Sequence, residues 1–258
     1  MTAKIEVQGL SHGFEFRGDQ SLRVLVDVDL QVAPGEFLAI VGPSGCGKST
    51  LLNIVSGLFP PSTGRVTIDG RPVAGIHPAI GYMFARSCLL PWRTLLANVA
   101  FGLELRGVPR AEREDKAQLL IRMVGLSGFE HSYHDQLSQG MRQRAALART
   151  LASDPEILLM DEPFGALDAQ TKLLLEEEFL RIWETRRNTV VFVTHDLFEA
   201  IAMADRVVIF SARPGRIKSI VPIDIPRPRS VTAGRFGPHF QDMYERLWED
   251  LRHEVVRA

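Results

Sequence analysis

The sequence has little cysteine, no long apolar run and no excess of one charge. Its two cysteines, Cys46 and Cys88, lie far apart and lack the spacing of metal ligands. This pattern argues against a disulfide framework and favours a reducing compartment. No stretch approaches the roughly 18 apolar residues of a membrane span, and the N-terminal residues lack the apolar core of a signal peptide. We therefore expect a cytoplasmic protein that could still dock on a membrane partner.

The charge balance also limits the kinds of partner. The chain has 30 Lys and Arg against 31 Asp and Glu, with a net charge of -1 at pH 7. Non-specific nucleic-acid binding needs a broad basic surface, which a nearly neutral chain lacks. We expect no nucleic-acid partner. A length of 258 residues allows a substantial core, organised as one large domain or as a domain carrying a lobe.

The hydrophobic pattern changes along the chain. Near the N-terminus, Ile5, Val7 and residues 23–32 alternate with polar positions, which is typical of antiparallel strands. Later runs are short, β-branched and nearly all apolar, as in strands covered on both faces; they are residues 36–42, 156–160, 189–194 and 206–210. Helical stretches at 173–185 and 198–204 separate the last three runs. This alternation predicts a parallel α/β sheet.

The middle of the chain is mostly helical in pattern. We predict a single domain over residues 1–258, in which a core of residues 1–90 and 155–258 carries an inserted helical subdomain at 91–154. Apolar residues also recur at helical spacing near the C-terminus and predict a last helix that packs on its own domain; they are Phe240, Met243, Tyr244, Leu247 and Leu251.

The stretch GPSGCGKST matches the phosphate-binding pattern G-x-x-x-x-G-K-[ST] between a predicted strand and a predicted helix. Glycines let backbone N–H groups converge on anionic oxygens, and the helix N-terminus adds its dipole. Lys48 would supply a charge to the β- and γ-phosphates, and the Ser49 hydroxyl would hold Mg²⁺. The candidate nucleotide-binding residues are Gly42, Pro43, Ser44, Gly45, Cys46, Gly47, Lys48, Ser49 and Thr50.

Two carboxylates follow the apolar run at 156–160. Asp161 and Glu162 would reach the mouth of a parallel sheet, where ligands of such sheets bind. Asp161 would hold Mg²⁺, and Glu162 would act as general base toward the attacking water. His195 follows another predicted core strand and could reach the same edge, although a lone histidine is more often structural.

A second anion site is predicted in the helical region. In LSQGMRQR, Ser138 is a natural N-cap, and Gly140 leaves the N–H groups of the first turn uncovered. Taken alone, this is an ordinary capped helix. In a chain that also contains a phosphate loop, this helix end predicts a head-to-tail pair of copies. Each copy would offer the helix end to the γ-phosphate bound by the other copy.

These motifs, in this order, resemble the ATP-binding cassette subunit of an ABC transporter over essentially the whole chain. The resemblance implies an α/β fold of the P-loop NTPase type, with a mostly parallel sheet, an N-terminal antiparallel β-subdomain and an inserted helical subdomain. It implies ATP and Mg²⁺ as cofactors and a catalytic role for Lys48, Glu162 and His195. It adds Asp168 to the nucleotide site, and Phe14, with Phe16 as the alternative, as the aromatic residue that stacks on adenine.

The resemblance extends to partners. Stretches such as LLPWRTLLANVAFGLELRG and THDLFEAIAMADRV are similar to import subunits for nitrate, sulfonate, taurine and related solutes. The resemblance implies a pair of cassettes, separate transmembrane permease subunits, an external substrate-binding protein and a peripheral location on the cytoplasmic face of the membrane. Residues 89–92 would line or support a groove for a short permease helix; alternatively, they belong to the core of the helical region.

Three positions depart from the family pattern. Ala85 stands where a glutamine normally contacts Mg²⁺ and the attacking water, and a methyl group can do neither. Gln139 replaces a common glycine, and Met141 stands where glutamine is frequent, although methionine is familiar in import subunits. Alanine at position 85 therefore predicts slower ATP hydrolysis, or weaker coupling of hydrolysis to transport.

Two function classes remain in consideration. The first is an ATPase subunit that powers import through a permease. The second, motivated by Ala85, is a weakly hydrolysing, regulatory half of a heterodimeric complex, although Glu162 argues against it. DNA-repair relatives would carry long coiled coils, translation relatives usually carry two cassettes, and a simple P-loop kinase has no use for LSQGM. The sequence shows neither long coiled coils nor a second cassette, and it does contain LSQGM, so these three alternatives are disfavoured.

Overall fold

The computed structural model describes residues 3–16, 20–232 and 237–255. Four strands form an antiparallel sheet in the order β2-β1-β4-β5. They are β1 (Ile5–Phe16), β2 (Gln20–Val32), β4 (Thr63–Ile68) and β5 (Arg71–Pro72). The N-terminal antiparallel strands expected from the alternating pattern are therefore confirmed.

A second sheet has six strands in the order β10-β9-β3-β8-β7-β6. They are β3 (Phe37–Val41), β6 (Ile80–Met83), β7 (Ile157–Asp161), β8 (Thr189–Val193), β9 (Arg206–Phe210) and β10 (Ile217–Pro222). All neighbouring pairs are parallel except β9 with β10. The predicted parallel sheet is confirmed, but the sequence pattern does not indicate β6, which has only four residues, or the antiparallel edge strand β10.

The helices connect and cover the sheets. They are α1 (Lys48–Val55), α2 (Leu95–Val99), α3 (Phe101–Leu105), α4 (Arg110–Met123), α5 (Gln139–Ala152), α6 (Ala169–Arg186), α7 (Leu197–Met203) and α8 (Pro238–Val255), with a 3₁₀ turn at His134–Gln136. The regular elements from α2 to α5 are all helical. Their buried residues join the same hydrophobic cluster as one face of the parallel sheet. The subdomain boundaries at 91 and 154 therefore stay a prediction.

The parallel sheet is buried on both faces because its strands alternate between two clusters. Phe37, Ala39 and Val41 face the helical side. Leu38 and Ile40 face α1 and the antiparallel sheet. Successive side chains of a strand point to opposite faces, so a nearly continuous apolar run is what a doubly covered strand requires.

The C-terminal segment packs onto the core, as the helical spacing predicts. Phe240, Met243, Leu247 and Leu251 of α8 are buried. Upstream, the partly buried Arg229 guanidinium donates hydrogen bonds to carbonyl oxygens at the end of α7 and beyond β10, namely those of Ile201, Ala204, Ile223 and Ile225. Burial lowers the pKa of Arg229 to about 10.

Among the described residues, no helix has the length and apolar character needed to cross a membrane.

The packing of α8 can be tested by truncating its most buried side chain. Leu247 is fully buried, so we predict that Leu247→Ala lowers the free energy of unfolding by about 2–5 kcal/mol through lost burial and a residual cavity. Leu174→Ala is the control, because Leu174 is 73% exposed. Urea denaturation followed by circular dichroism measures both changes; equal effects would contradict the packing described for α8.

Candidate functional site

Three parallel strands end at one edge of the sheet and deliver most of the predicted site. β3 runs into the loop at 42–47, β7 ends at Asp161, and β8 ends one residue before Thr194. The Glu162 N–H donates to the Val193 carbonyl over 2.9 Å, which continues the β7–β8 pairing past the end of β7. Residues that are far apart in sequence therefore meet at this edge.

The loop after β3 encloses its own lysine. Lys48 begins α1, is only 7% exposed, and donates hydrogen bonds from Nζ to the carbonyl oxygens of Gly42 and Pro43 over 2.7 and 2.9 Å. Ser44, Gly45 and Ser49 are exposed at the surface of the loop. The ammonium group is thus held inside a ring of backbone, at the start of a helix where anions bind.

Two glycines allow this loop to pack tightly. Gly47 has φ 109°, and a Cβ there would lie 2.7 Å from Leu25 Cδ2. Gly215, in the turn between β9 and β10, approaches so closely that a Cβ would lie 2.1 Å from the Cys46 carbonyl oxygen. The loop is therefore clamped between β2 and the β9–β10 turn, and larger side chains at either glycine would displace it.

Ser49 and Asp161 supply adjacent oxygens. The Ser49 hydroxyl lies near the Asp161 carboxylate. Burial raises the pKa of Asp161 and the nearby Glu162 adds to the rise, whereas the Ser49 hydroxyl and the Lys48 charge oppose it. A hydroxyl and a carboxylate fit Mg²⁺, which takes few protein oxygens and keeps several waters. The described residues contain no cluster of three or more histidine, cysteine or acidic side chains suited to a metal.

Glu162 and His195 contact each other at the same edge. His195 Nδ1 lies 3.0 Å from Glu162 Oε1, and both side chains are partly exposed. The Glu162 backbone is left-handed, with φ 48°, a conformation that non-glycine residues seldom adopt and that often marks functional sites. The pairing joins the two sequence-predicted groups, a carboxylate and an imidazole, next to the buried Asp161.

The remaining predicted residues lie on other elements. Ser138 caps α5 by accepting from the Met141 N–H, and Asp168 caps α6 by accepting from the Thr171 N–H. A Cβ on Gly140 would lie 3.4 Å from Leu167 Cδ2, so the start of α5 packs beside the segment that precedes α6. The hydrogen bonds to Thr171 lower the pKa of Asp168.

Phe14 lies on β1 opposite Leu22 and is 41% exposed. Its ring packs edge-on against His12, with ring centroids 4.9 Å apart. Residue Val24, two positions beyond Leu22, approaches Gly47 of the phosphate loop. The side chain of Phe16, the alternative, lies outside the described residues.

The segment around Ala85 leaves β6 and bridges to the helices. Tyr82 donates a 2.8 Å hydrogen bond to Asn53 Oδ1 of α1 and stacks on Phe84. Ala85 is exposed, and residues 85–89 line a cavity of about 470 Å³ together with the start of α5. From α5, Arg149 donates to the carbonyl oxygens of Ser87 and Cys88 over 2.8 and 2.7 Å.

Residues 89–92 divide between core and surface. Leu89 is buried in the main cluster, whereas Trp92 is 70% exposed. The turn is held by Asn98, which is 1% exposed; its amide donates to the carbonyl oxygens of Leu90, Arg93 and Thr94, and its Oδ1 accepts from the Leu90 N–H.

Asn98 and Arg149 are site-supporting residues that the motifs do not identify. A sequence signal exists for Asn98, a lone amide within the apolar stretch LLANVAF, but nothing in the sequence indicates its four backbone partners.

We predict that Asn98→Ala lowers the free energy of unfolding by about 2–3 kcal/mol, because it leaves buried backbone groups of the turn without partners. Gln170→Ala, at an exposed position, serves as the control. Urea denaturation followed by circular dichroism gives the stability change. A loss no larger than that of the control would contradict the role of Asn98.

The comparisons with known proteins agree with this geometry. Residues 25–165 match the family model described as ABC transporter. An uncharacterized ABC transporter ATP-binding protein of Methanocaldococcus jannaschii is 50% identical over 258 residues, covering 100% of this chain and 95% of the relative. The taurine import ATP-binding protein TauB of Pseudomonas savastanoi is 48% identical over 238 residues, covering 91% of each.

Solved structures agree on the fold. A dimeric bacterial ABC transporter cassette superposes with a TM-score of 0.80 at 31% identity, covering 86% of this chain and 100% of the other. A dimeric post-hydrolysis state of a cassette bound to ADP and Pi superposes with a TM-score of 0.78 at the same identity and coverage. With the phosphate loop, acidic strand end and histidine gathered at one sheet edge, these matches show that the chain belongs to the ABC transporter family, as an ATP-binding P-loop ATPase.

Proposed function

We propose that the protein is the ATP-hydrolysing subunit of an importer for a small anion or organic solute of the nitrate, sulfonate or taurine class. The observation that carries the proposal is the meeting of Lys48, Ser49, Asp161, Glu162 and His195 at one edge of the parallel sheet. The taurine-import relative at 48% identity supports the direction and class of transport.

The phosphate loop and α1 bind the nucleotide. The N–H groups of residues 44–50 and the charge of Lys48 hold the β- and γ-phosphates. To reach the phosphates, the Lys48 ammonium gives up its hydrogen bonds to the Gly42 and Pro43 carbonyls. Ser49 and Asp161 would hold Mg²⁺, which would supply positive charge to balance the phosphate oxygens of the bound nucleotide. Phe14 stacks on the adenine ring.

Glu162 and His195 act on the reacting groups. Glu162 accepts a proton from the water whose oxygen attacks the γ-phosphorus, while the bond to the ADP oxygen breaks. His195 orients Glu162 through the 3.0 Å contact and lies where its ring can reach the γ-phosphate. Lys48 stabilises the developing charge on the transferred group.

A second cassette, most simply an identical chain, completes each site. Ser138 and Gly140 of one copy present the N-terminal end of α5 to the γ-phosphate held by the other, and Asp168 lies beside them at the junction. This arrangement uses residues that lie away from the phosphate loop of their own chain. Two such sites would form per dimer, so an isolated chain is a poor enzyme.

The membrane partner docks near residues 85–92. Exposed Trp92 and the turn held by Asn98 lie where the core meets the helices of the proposed subdomain at 91–154. Permease subunits bind there, which places the protein peripherally on the cytoplasmic face of the membrane. An external substrate-binding protein and the permease select the cargo, so this chain supplies the energy of transport.

We predict that Glu162→Gln lowers the ATPase kcat by about 100-fold or more, since removal of a general base typically costs that much, while ATP binding is retained. Steady-state phosphate release and binding of a fluorescent ATP analogue measure the two properties. Glu249→Gln, in an exposed position of α8, is the control. A native chain whose turnover does not exceed that of Glu162→Gln would contradict the proposed hydrolysis.

Ala85 favours a second candidate function, that of a weakly hydrolysing regulatory half of a heterodimeric complex. Ala85 is exposed on the segment after β6 and offers no polar atom to a metal or water. Under this candidate, a catalytic partner chain would perform most of the hydrolysis.

We predict that Ala85→Gln raises kcat severalfold, up to about 10-fold, because a hydrogen bond to the attacking water contributes about 1.4 kcal/mol. Arg86→Gln, which places the same side chain one residue away, is the control. The regulatory half is favoured if the native chain turns over ATP no faster than Glu162→Gln and the Ala85→Gln variant turns it over faster. Clear native turnover with no gain from Ala85→Gln would reject it.

A further inference from the structure

Lys172 of α6 stands at the centre of an ion-pair cluster behind the site. Its Nζ lies 2.7 Å from Asp196 Oδ2, 2.5 Å from Glu199 Oε1 and 3.9 Å from Glu176 Oε1. Glu176 and Glu199 are almost completely buried. No motif in the sequence singles out this lysine.

The cluster fixes both neighbours of His195. Asp196 binds Lys172 and also caps α7 by accepting from the Phe198 N–H. Thr194 donates its hydroxyl to Glu199 and accepts from the Asp196 N–H. Because the residues before and after His195 are held in this way, the direction of the imidazole toward Glu162 depends on the cluster.

The cluster also reaches the start of α6. The Lys172 N–H donates to the Asp168 carbonyl over 2.9 Å, so Lys172 lies one helical turn beyond Asp168. A single cation therefore joins the helix that begins at Asp168 to the loop that carries His195. The two segments follow different strands, β7 and β8, so Lys172 adds a side-chain link to the backbone pairing between them.

The charges make this lysine hard to replace. Burial lowers the pKa of Lys172, but the charges of Glu199 and Asp196 outweigh it and leave the pKa above its usual value. Burial raises the pKa of Glu199, against the influence of Lys172. One cation thus faces three carboxylates, and a neutral residue in its place would leave buried negative charge without compensation.

We infer that Lys172 is a positioning residue for ATP hydrolysis, which holds His195 in contact with Glu162. It also couples the position of His195 to that of Asp168. The inference rests on the proposed function. Lys172 acts through Asp196, Thr194 and Glu199, which flank or follow His195. Loss of the Lys172 side chain should reduce kcat and leave nucleotide affinity almost unchanged. The reason is that the phosphate loop lies between β3 and α1, whereas the Lys172 cluster lies on α6 and α7.

The test compares Lys172→Met and Lys172→Arg with Lys218→Met as a matched control. Lys218 also pairs with a buried glutamate, Glu254, over 3.2 Å, but in the C-terminal segment. We expect Lys172→Met to lower kcat at least 10-fold with the KM for ATP within 2-fold of native, Lys172→Arg to recover most of the rate, and Lys218→Met to stay within 2-fold. Equal losses in both Met variants, or no recovery with Arg, would overturn the inference.

A double-mutant cycle shows whether Lys172 acts through His195. In a His195→Ala background, Lys172→Met should change kcat less than 2-fold; a further 10-fold loss would contradict the assigned route. If Lys172→Met does not fold, the double variant Lys172→Met/Glu199→Gln replaces it, because the second substitution removes a buried negative charge. The kcat of this double variant is then compared with and without His195→Ala. A native chain without ATPase activity would instead refute the proposed function, so the two failures are distinguishable.

Discussion

The parallel register of β3, β7 and β8 is the constraint on which the site depends. Hydrogen bonding between these strands brings three chain segments to one edge of the sheet, although the first lies more than a hundred residues before the other two in sequence. The nearly continuous apolar runs that allow burial on both faces also supply the driving force for this alignment. The polar residues that follow each strand can then meet without any local sequence relation between them.

Much of this could be predicted from sequence because it is local. The phosphate loop, the acidic strand end at Asp161 and the cap at Ser138 are short patterns whose chemistry depends on neighbouring residues. Where the expectation concerned periodicity, as for α8 and the parallel strands, the structure confirms it. The division into core and helical subdomain stays a prediction, because one hydrophobic cluster runs through both.

What could not be predicted is non-local. Asn98 gains its importance from four backbone partners in a turn, and Lys172 from carboxylates on a different helix. In sequence, both look like ordinary helix residues. Strand β6 is too short and too exposed to give a period of two, and it forms because β7 offers a paired edge. Tertiary context, more than intrinsic propensity, decides such elements.

The left-handed backbone at Glu162 has a cost in folding free energy. An L-residue in that conformation costs roughly 1–2 kcal/mol, which glycine would not incur. The usual entropic disadvantage of glycine is offset at such a position, so a mutation of Glu162 to glycine removes the carboxylate with little penalty to folding. Folding stability alone therefore does not favour glutamate over glycine at residue 162.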